Sequence, residues 1–488
     1  MQYIIFMANY KKELFEHQRT AVSECRRKNS NVFAYLMEMG TGKTITAIHD
    51  MLDLYSENKI NSVVIFGPKS VYRNWHTEIT EYTDQEMRIA TWDPSLKDAE
   101  TKEDLTQILI KQDQGLFIFL MNIESISSKK GFLFLEKFIS KQDKNKTMMI
   151  VDESTTIKTP AAMRTKNILR VAKDVKYKRI LTGTPVTKSP LDIFAQFAFL
   201  DTKILRQNNY YAFRARYAKV ISKPTSSGRT FPLITGYQRL DELDVLIKSN
   251  SYRVKKEDCL DLPEKIYQKR FVQMSKEQLV AYESLKRNAM FIFDDKTTTT
   301  ANRLSQIVKL HQVCCEFTIN DDGETHDVPG NRYSELLHVL DESTGKVIIW
   351  ANYRHNIQTI TKLLKEKYGE TSTSAFYGDT ANQTRMDLVK NFQDVENDLT
   401  YLVANPKTGG YGITLTTSHT VVYFSNNYDL EIRLQSEDRA HRIGQKNKVT
   451  YVDLVSKGTI DEKILMALKN KVDIASQVMG DAAKEWIT

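Results

Sequence analysis

The sequence has few cysteines and no long apolar run, and each lack excludes a class of protein. Its 488 residues include four cysteines, and none shows the spacing of a zinc ligand set. This count excludes a disulfide framework and fits a reducing compartment. No apolar run approaches the roughly 18 residues of a membrane span, and the N-terminus lacks the basic region of a secretory signal. We expect a cytoplasmic protein without signal peptide or transmembrane segment.

Acidic residues are absent from one window, 202–240, although the whole chain is nearly balanced in charge. The chain has 69 Lys and Arg against 61 Asp and Glu, a net charge of +8. The window contains eight of the basic residues and six aromatic residues. A solvated basic face is the ordinary explanation of a basic run. The length of this carboxylate-free window favours contact with a polyanion.

Short β-branched runs alternate with helical periods in two parts of the chain. The predicted strands are 31–37, 62–66, 116–121, 148–151 and 179–183, and then 346–351, 373–378, 399–404, 420–424 and 449–455. This alternation implies parallel sheets with right-handed crossovers. We predict an α/β fold with two lobes, 1–200 and 332–488. The chain between them, 201–331, is predicted to form helical protrusions and a linker, because 190–318 has a mostly helical pattern.

A glycine-rich loop follows the first predicted strand and precedes a helical period. Its backbone N–H groups would cradle phosphates at a helix N-terminus, and the loop residues are Met39, Gly40, Thr41 and Gly42. Lys43 would reach the β- and γ-phosphates of ATP, and the Thr44 hydroxyl would ligate Mg²⁺. An ordinary glycine turn is the alternative, since Met37 replaces the first glycine of the generic pattern.

Two carboxylates, Asp152 and Glu153, stand at the end of the predicted strand 148–151. Asp152 would hold Mg²⁺ through water, and Glu153 would polarise the water that attacks ATP. Alone, such a pair is more often a surface pair. In the same lobe as a phosphate loop, it predicts an ATPase site.

Two arginines of the second lobe share a predicted helix face with Gln435. Arg439 and Arg442 follow it at i+4 and i+7, and they would stabilise charge on a transferred phosphoryl group. The alternative is a pair of solvated arginines bound to neighbouring carboxylates. His441 lies between them and is interpreted as a structural hydrogen-bonding residue rather than a catalytic base.

Several motifs follow one another in order along nearly the whole chain. They include LFEHQ (14–18), EMGTGKT (38–44), GPKSVYRNWHTE (67–78), VDESTTIK (151–158), LTGTPVTKSPLD (181–192), YRVKKEDCLDLPEK (252–265), KTGGYGITLT (407–416) and QSEDRAHRIGQ (435–445). In this order they resemble the Swi/Snf-type DNA translocase branch of the superfamily two helicases. The resemblance implies two RecA-like lobes of the P-loop NTPase fold that bind ATP and Mg²⁺ between them and move along DNA.

The resemblance also implies roles that spacing alone does not assign. Gln18 would read adenine and Gly412 would approach the nucleotide, while Thr182, Thr184 and Gln435 would couple hydrolysis to movement. DNA contacts are expected from Lys69, Ser70 and Trp75 in lobe one and from Arg385 and Thr408 in lobe two. The charge of the carboxylate-free window, rather than the resemblance, predicts further DNA contacts from Arg214, Arg216, Lys219 and Lys223. As a helix, 208–221 would bury Tyr210, Phe213, Tyr217 and Ile221 on lobe one and point Arg216, Lys219 and Lys223 outward.

Four positions depart from the family pattern, and one of them is Met37, which stands at the usual Asp position of the phosphate loop. Thr155 stands where the Asp-Glu-x-His box usually ends in His, and Asn427 and Tyr428 replace a Trp-Trp pair. Because the flanks beyond the outermost motifs are short, we expect a minimal motor without an accessory domain.

We therefore expect a monomeric DNA-dependent ATPase that translocates on duplex or branched DNA. Its length and composition suggest that the protein works in a bacterial or phage-infected cell. Its expected protein partners are replication or recombination proteins. Two alternatives remain, a strand-separating helicase, for which the sequence identifies no wedge, and an ATP-regulated DNA-binding scaffold with impaired turnover, which Thr155 and Met37 favour.

Overall fold

The structure is a computed structural model, and its described residues divide into two compact units. These residues are 10–28, 31–68, 72–92, 99–109, 115–224, 230–294, 300–320, 322–378, 382–409 and 413–479. Unit 1 comprises Met1–Lys219, Thr235–Asp261 and Ile474–Ala482, and unit 2 comprises Val220–Ile234, Leu262–Asp473 and Ala483–Thr488. No helix among the described residues is both long and apolar enough to span a bilayer.

Unit 1 is built on a seven-stranded sheet in which every neighbouring pair is parallel. Its strands are β1 (Val32–Met37), β2 (Ser62–Gly67), β3 (Met87–Trp92), β4 (Leu116–Asn122), β5 (Thr147–Asp152), β6 (Tyr177–Leu181) and β9 (Ser251–Val254). Two further strands, β7 (Ala218–Pro224) and β8 (Thr230–Tyr237), precede β9 in the chain and are not part of this sheet. The sheet order is β3-β4-β2-β5-β6-β1-β9. The central strands are continuous apolar runs because a parallel sheet is covered on both faces.

Helices cover this sheet and supply the second half of its core. They are α1 (Glu16–Arg27), α2 (Lys43–Ser56), α3 (Tyr72–Tyr82), α4 (Ala99–Gln107), α5 (Lys129–Lys141), α6 (Met163–Ala172), α7 (Ile193–Leu200), α8 (Tyr210–Tyr217), α9 (Leu240–Ser249) and α10 (Lys256–Cys259). On α2, Ile48 and Leu52 are fully buried. An ion pair lies within the same core, where Arg179 Nε donates to Asp50 Oδ2 at 2.7 Å.

Unit 2 contains a six-stranded parallel sheet of order β10-β17-β16-β13-β15-β14. Its strands are β10 (Lys265–Val272), β11 (Phe317–Ile319), β12 (Thr325–Asp327), β13 (Lys346–Trp350), β14 (Thr373–Phe376), β15 (Tyr401–Ala404), β16 (Ser418–Tyr423) and β17 (Val449–Ser456). Its helices are α11 (Lys276–Asp294), α12 (Thr300–Cys314), α13 (Arg332–Glu342), α14 (Arg354–Tyr368), α15 (Asn382–Gln393), α16 (Pro406–Gly409), α17 (Leu430–Glu437) and α18 (Ile460–Met479). Strands β11 and β12 form a separate antiparallel pair.

All ten predicted strand segments overlap strands of the two large sheets, and the α/β class is confirmed. The segment between them is less helical than expected, because β9 joins the sheet of unit 1 and β10 joins that of unit 2. Strands β7 and β8 pair with each other as a two-stranded ribbon, here called the β7–β8 ribbon.

The predicted helix over 208–221 is wrong for its last four residues. Helix α8 ends at Tyr217, and the chain continues as β7. Phe213 and Tyr217 are buried as expected, but Ile221 is 48% exposed in the strand. β-Branched Val220 and Ile221, with Pro224 just beyond, favour an extended backbone over a further helical turn.

Candidate nucleotide and nucleic-acid sites

The predicted phosphate loop connects β1 to α2 in unit 1. Gly40 and Gly42 adopt φ angles of 84° and 83°, a left-handed conformation that glycine adopts without steric cost. Gly42 is also the residue that precedes the first turn of α2. The Thr41 N–H and hydroxyl both donate to the Glu38 carbonyl, at 3.2 and 2.7 Å. The loop therefore brings its residues to a helix N-terminus, the position predicted for phosphate binding.

Gln18, expected to read adenine, is buried against the phosphate loop. Its Nε2 donates to the Thr41 carbonyl at 3.1 Å, and its Oε1 accepts from the Phe15 N–H at 3.0 Å. A Cβ atom on Gly42 would lie 2.1 Å from Gln18 Nε2, so the loop needs glycine for space as well as for backbone conformation. Gln18 thus fixes the loop on α1, and adenine recognition stays a prediction.

The Asp-Glu box lies at the carboxyl end of β5, next to the phosphate loop. Lys43 Nζ is 4.0 Å from Glu153 Oε1, and both side chains are nearly buried. Asp152 Oδ1 accepts from the Glu153 N–H at 2.9 Å. Burial raises the pKa of Asp152, and the positive charge of Lys43 opposes this rise. Lysine and both carboxylates are thus assembled in unit 1 as the motifs predict.

Glu153 has an unusual backbone conformation for a residue with a side chain. Its φ and ψ are 46° and 60°, in the left-handed region. Non-glycine residues reach this region rarely, and it is enriched at functional sites. The turn ends β5 and starts a short 3-10 segment, Ser154–Ile157, in which Thr155 is buried.

The expectation that Trp75 contacts DNA is wrong for this structure. Trp75 lies on α3, is 0% exposed, and donates from Nε1 to Asp152 Oδ2 at 2.9 Å. The indole therefore orients the carboxylate assigned to the metal, and this hydrogen bond also lowers the pKa of Asp152 against the effect of burial. The sequence did not indicate this role, because 77 residues separate the two partners.

A hydrogen-bonded link between the Asp-Glu box and the LTGTP segment was also missed. Ser154 Oγ donates to Gln196 Oε1 at 2.7 Å, and Gln196 Nε2 donates to the Pro185 carbonyl at 2.8 Å. Gln196 is fully buried on α7. Thr182 Oγ1 accepts from the Thr184 N–H at 3.1 Å, and the coupling role of both threonines stays a prediction.

The two predicted arginines of unit 2 converge on one carbonyl. Arg439 Nη1 and Arg442 Nη1 lie 3.2 and 3.4 Å from the oxygen of Ile413. Arg439 Nε also donates to the Gln435 carbonyl at 3.1 Å. Gln435 itself is buried, with its Nε2 3.4 Å from Glu431 Oε1. Arg439 therefore contacts both Gln435 and the carbonyl that Arg442 approaches.

The single helix expected across 435–442 is not formed. Helix α17 ends at Glu437, and turns carry the chain through both arginines. Gln445 Nε2 donates to the Ala440 carbonyl at 3.1 Å and thus satisfies a group that a continuing helix would have bonded. His441 Nε2 lies 2.7 Å from the Pro263 carbonyl, which confirms its structural interpretation.

A buried ionic network holds α17 in place before these turns. Glu437 is 0% exposed and receives hydrogen bonds from Arg433 Nε at 2.8 Å and Tyr267 at 2.8 Å. Lys265 Nζ lies 3.1 Å from the same carboxylate, and Arg433 also pairs with Asp453 at 2.6 Å. The positive charges of Lys265 and Arg433 hold the pKa of Glu437 below its usual value despite burial.

Several residues expected to contact ligands fall outside the described part of the chain. Lys69, Ser70 and Gly412 lie outside the described residues, and Thr408 lies on α16 in a part whose side chains are also outside the description. Arg385 is described on α15, where Nη2 donates to the carbonyls of Tyr377 and Gly378 at 3.2 Å each. Its expected DNA contact stays a prediction.

Arg216 differs from the outward-pointing cation predicted for it. Its guanidinium donates to both oxygens of Glu242, with Nε 2.7 Å from Oε1. This pairing lowers the pKa of Glu242 to about 2. Glu242 stands on α9, two residues beyond the carboxylate-free window, so the fold supplies the carboxylate that the window lacks. Lys219 and Lys223 remain exposed on β7, and the Arg214 guanidinium lies 5.6 Å from the ring centre of Tyr211.

The comparison with protein families agrees with the order of these motifs. The model of the SNF2-related domain matches residues 17–319, which is more than half of the chain. The chain belongs to the SNF2-related family. The model of the helicase conserved C-terminal domain matches residues 331–444. With parallel sheets in both units, these matches confirm the RecA-like fold class.

Known SNF2 relatives match nearly the whole chain but are longer. An ATP-dependent helicase of Mycoplasma pneumoniae is 27% identical over 475 residues, covering 96% of this chain and 42% of the relative. The transcription regulatory protein SNF2 of Saccharomyces cerevisiae is 26% identical over 467 residues, covering 91% and 26%. The chain thus spans less than half the length of either. A solved SWI2/SNF2 ATPase core of Sulfolobus solfataricus in complex with double-stranded DNA is 25% identical, with 98% and 96% coverage and a TM-score of 0.44.

The donor set of this SNF2 chain fits Mg²⁺ in its nucleotide-bound form. Among the described residues, no group of three or more His, Cys, Asp or Glu side chains is placed to hold a metal ion. Magnesium in nucleotide sites needs only one or two carboxylates, because phosphates and waters supply the other ligands. Asp152, at the end of β5, can supply one such carboxylate, and the Mg²⁺ ligands expected from the sequence, Thr44 and Asp152, stay a prediction.

Proposed function

We propose that the protein is an ATP-driven motor that hydrolyses ATP when bound to duplex or branched DNA and moves along it. The observation that carries the proposal is the approach of Lys43 to Glu153 beside the buried Asp152, at the phosphate loop of an SNF2-family chain. A phosphate-binding lysine, a metal-binding carboxylate and a water-polarising carboxylate are the parts that P-loop hydrolysis requires.

Each side chain has a distinct part in the proposed reaction. Lys43 and the loop N–H groups bind the β- and γ-phosphates, and Thr44 and Asp152 hold Mg²⁺, which neutralises phosphate charge when bound. Glu153 orients the attacking water and accepts its proton. The assignment of Arg439 and Arg442 to the charge on the transferred phosphoryl group rests on their place in the QSEDRAHRIGQ motif, as the family resemblance implies.

The DNA part of the proposal rests on charge. The window 202–240 contains eight basic residues and no carboxylate, and Lys219 and Lys223 are exposed on β7. Since Arg216 is paired with Glu242, we assign phosphate contacts chiefly to the two lysines. Differential DNA affinity of the ATP and ADP states would give directed movement.

The first test compares ATP hydrolysis without nucleic acid and with single-stranded DNA, duplex DNA, forked DNA and RNA. We expect duplex or forked DNA to stimulate the rate and RNA to have little effect. Equal rates under all five conditions would contradict a DNA-dependent motor, and rates that are negligible under all five would favour the scaffold alternative.

The second test concerns the assigned lysines. We expect Lys219→Gln/Lys223→Gln to reduce the log–log salt dependence of duplex binding by about 0.9 for each DNA phosphate that the variant no longer neutralises, with the ATPase rate at saturating DNA close to wild type. The matched control is Lys166→Gln/Lys173→Gln, which removes the same charge from exposed positions elsewhere. If the salt dependence of duplex binding is the same in this variant and in the control, the basic side of β7 is a solvated face that does not contact DNA.

A strand-separating helicase remains the second candidate, and the β7–β8 ribbon favours it. Strand separation needs a wedge, and a two-stranded ribbon can supply one. Unwinding of a tailed duplex, compared with displacement of a triplex strand, distinguishes the two candidates. Triplex displacement without unwinding would support translocation alone.

A further inference from the structure

Strand β9 brings a charged side chain to the root of the phosphate loop. It pairs in parallel with β1, and Arg253 is in register with Leu36. The residue after Arg253, Val254, accepts a hydrogen bond at its carbonyl from the Glu38 N–H at 2.9 Å. The strand therefore runs beside the last residues of β1 and the first residue of the loop that holds Lys43.

Arg253 contacts two segments that the sequence separates widely. Its Nη1 donates to the Gly183 carbonyl at 2.7 Å, within the LTGTP segment. Its Nη2 lies 3.4 Å from Glu38 Oε1, at the start of the phosphate loop. Only about a fifth of either side chain is exposed, so solvent screens this pair less than a surface pair.

Glu38 uses its second oxygen to hold the segment that follows β9. Its Oε2 accepts from the Lys256 N–H, the first residue of α10, at 3.0 Å. The carboxylate is thus shared between a guanidinium and a backbone amide. A shift of Glu38 would move the phosphate loop, Arg253 and the start of α10 together.

The LTGTP segment and the phosphate loop are in backbone contact at this point. A Cβ atom on Gly183 would lie 3.0 Å from the Glu38 Cα and 3.1 Å from the Met39 nitrogen. At that spacing the two segments have no room to approach further. The bonds of Arg253 oppose the separation of the two segments. The close backbone contact at Gly183 and the bonds of Arg253 therefore fix the distance between the phosphate loop and the LTGTP segment.

We propose that Arg253 is a positioning residue that holds the phosphate loop against the LTGTP segment through Glu38 and the Gly183 carbonyl. This inference rests on the proposed ATPase function and adds a residue outside the nucleotide-contacting set. The planar guanidinium suits the task, because it donates to two acceptors in a fixed geometry, whereas a lysine ammonium is a single point charge. Its loss would change loop position rather than remove a nucleotide contact.

The test is a double-mutant cycle with Glu38→Gln, Arg253→Gln and the double variant, measured as kcat and KM for ATP at saturating duplex DNA. Misplacement by about 1 Å costs about 10²-fold in rate, so we expect each single variant to lower kcat by about 10- to 100-fold. The dissociation constant of a fluorescent ADP analogue should change less than about threefold. The loss in the double variant should be smaller than the product of the two single losses, since both single variants remove the Arg253–Glu38 contact.

Two further variants separate positioning from general damage. Arg253→Lys should retain part of the rate, because it keeps the charge but not both bonds. Arg170→Gln removes an exposed arginine of unit 1 that also forms an ion pair, with Glu136, and should leave kcat unchanged. Losses that multiply in the double variant, or a kcat within twofold of wild type for Arg253→Gln, would overturn the proposal. If wild type shows no DNA stimulation, the proposed function fails instead, and the same cycle on DNA-free hydrolysis still tests Arg253.

Discussion

Acidification should destabilise unit 2 through one buried histidine. His311 lies on α12, with Nδ1 2.8 Å from the Tyr353 hydroxyl and Nε2 3.6 Å from Asp461 Oδ1. Burial lowers the pKa of His311 to about 4, although Asp461 favours the charged form, and Arg332 adds to the lowering. In the unfolded chain the pKa of histidine is about 6.5. The unfolded state therefore binds a proton in a pH range where the folded state does not.

The sign and size of the effect follow from this difference. Stability is unaffected well above pH 6.5, where His311 is neutral in both states, and it falls as the pH drops from about 6.5 towards 4. A difference of about 2.5 pH units corresponds to about 3 kcal/mol at full effect, and about 2 kcal/mol of this is lost by pH 5. Other groups titrate in the same range, so a variant must isolate the histidine.

The measurement is urea denaturation of wild type and His311→Gln at pH 7 and pH 5. Glutamine does not titrate, so the variant should lose about 2 kcal/mol less free energy of unfolding between the two pH values than wild type does. The variant will be less stable at pH 7, but this offset cancels in the comparison. Equal losses in both proteins would show that His311 is not held neutral by burial.

Four further variants test the two nucleotide motifs and the core of unit 1. Glu153→Gln should retain binding of a fluorescent ATP analogue but lower the rate of ATP hydrolysis by about 10²-fold or more. A wild-type rate at saturating DNA would contradict the assignment of Glu153 to the attacking water. Arg442→Ala should lower the DNA-stimulated rate by about 10³–10⁵ with little loss of ATP affinity, and a change below tenfold would make it a surface residue. Asp50→Ala should lower the free energy of unfolding, measured by urea denaturation, by about 3–5 kcal/mol, because it leaves Arg179 buried without its carboxylate partner. The double variant Asp50→Leu/Arg179→Met should recover most of that free energy.

The sequence predicted the central strands better than the edge strands, for a physical reason. Central strands such as β2 and β5 are buried on both faces and read as continuous apolar runs. Edge strands β3, β9 and β10 are partly exposed and contain charged residues, for example Arg88, Arg253 and Lys265. Without an apolar run they resemble loops or helix ends, and this explains why the middle of the chain was expected to be more helical than it is.

The chemistry of the site was predictable where it depends on contiguous residues. The phosphate loop and the Asp-Glu box are short motifs, and strand–loop–helix context locates both. Contacts between distant residues left no local signal. Glu242 neutralises Arg216 from 26 residues away, and Arg253 reaches Gly183 from 70 residues away. Trp75 illustrates the same limit, since a motif that suggested a nucleic-acid contact instead orients Asp152.

The backbone at Glu153 shows how far this site departs from what stability alone would select. Gly40, Gly42 and Glu153 all have left-handed backbones in the same unit, but only the glutamate has a Cβ that makes the conformation costly, by about 1–3 kcal/mol. Glycine would relieve that strain and would remove the carboxylate that lies 4.0 Å from Lys43. The turn after β5 therefore tolerates a strained residue where the proposed reaction needs a carboxylate, whereas the phosphate loop has glycine at left-handed positions where only N–H groups are needed.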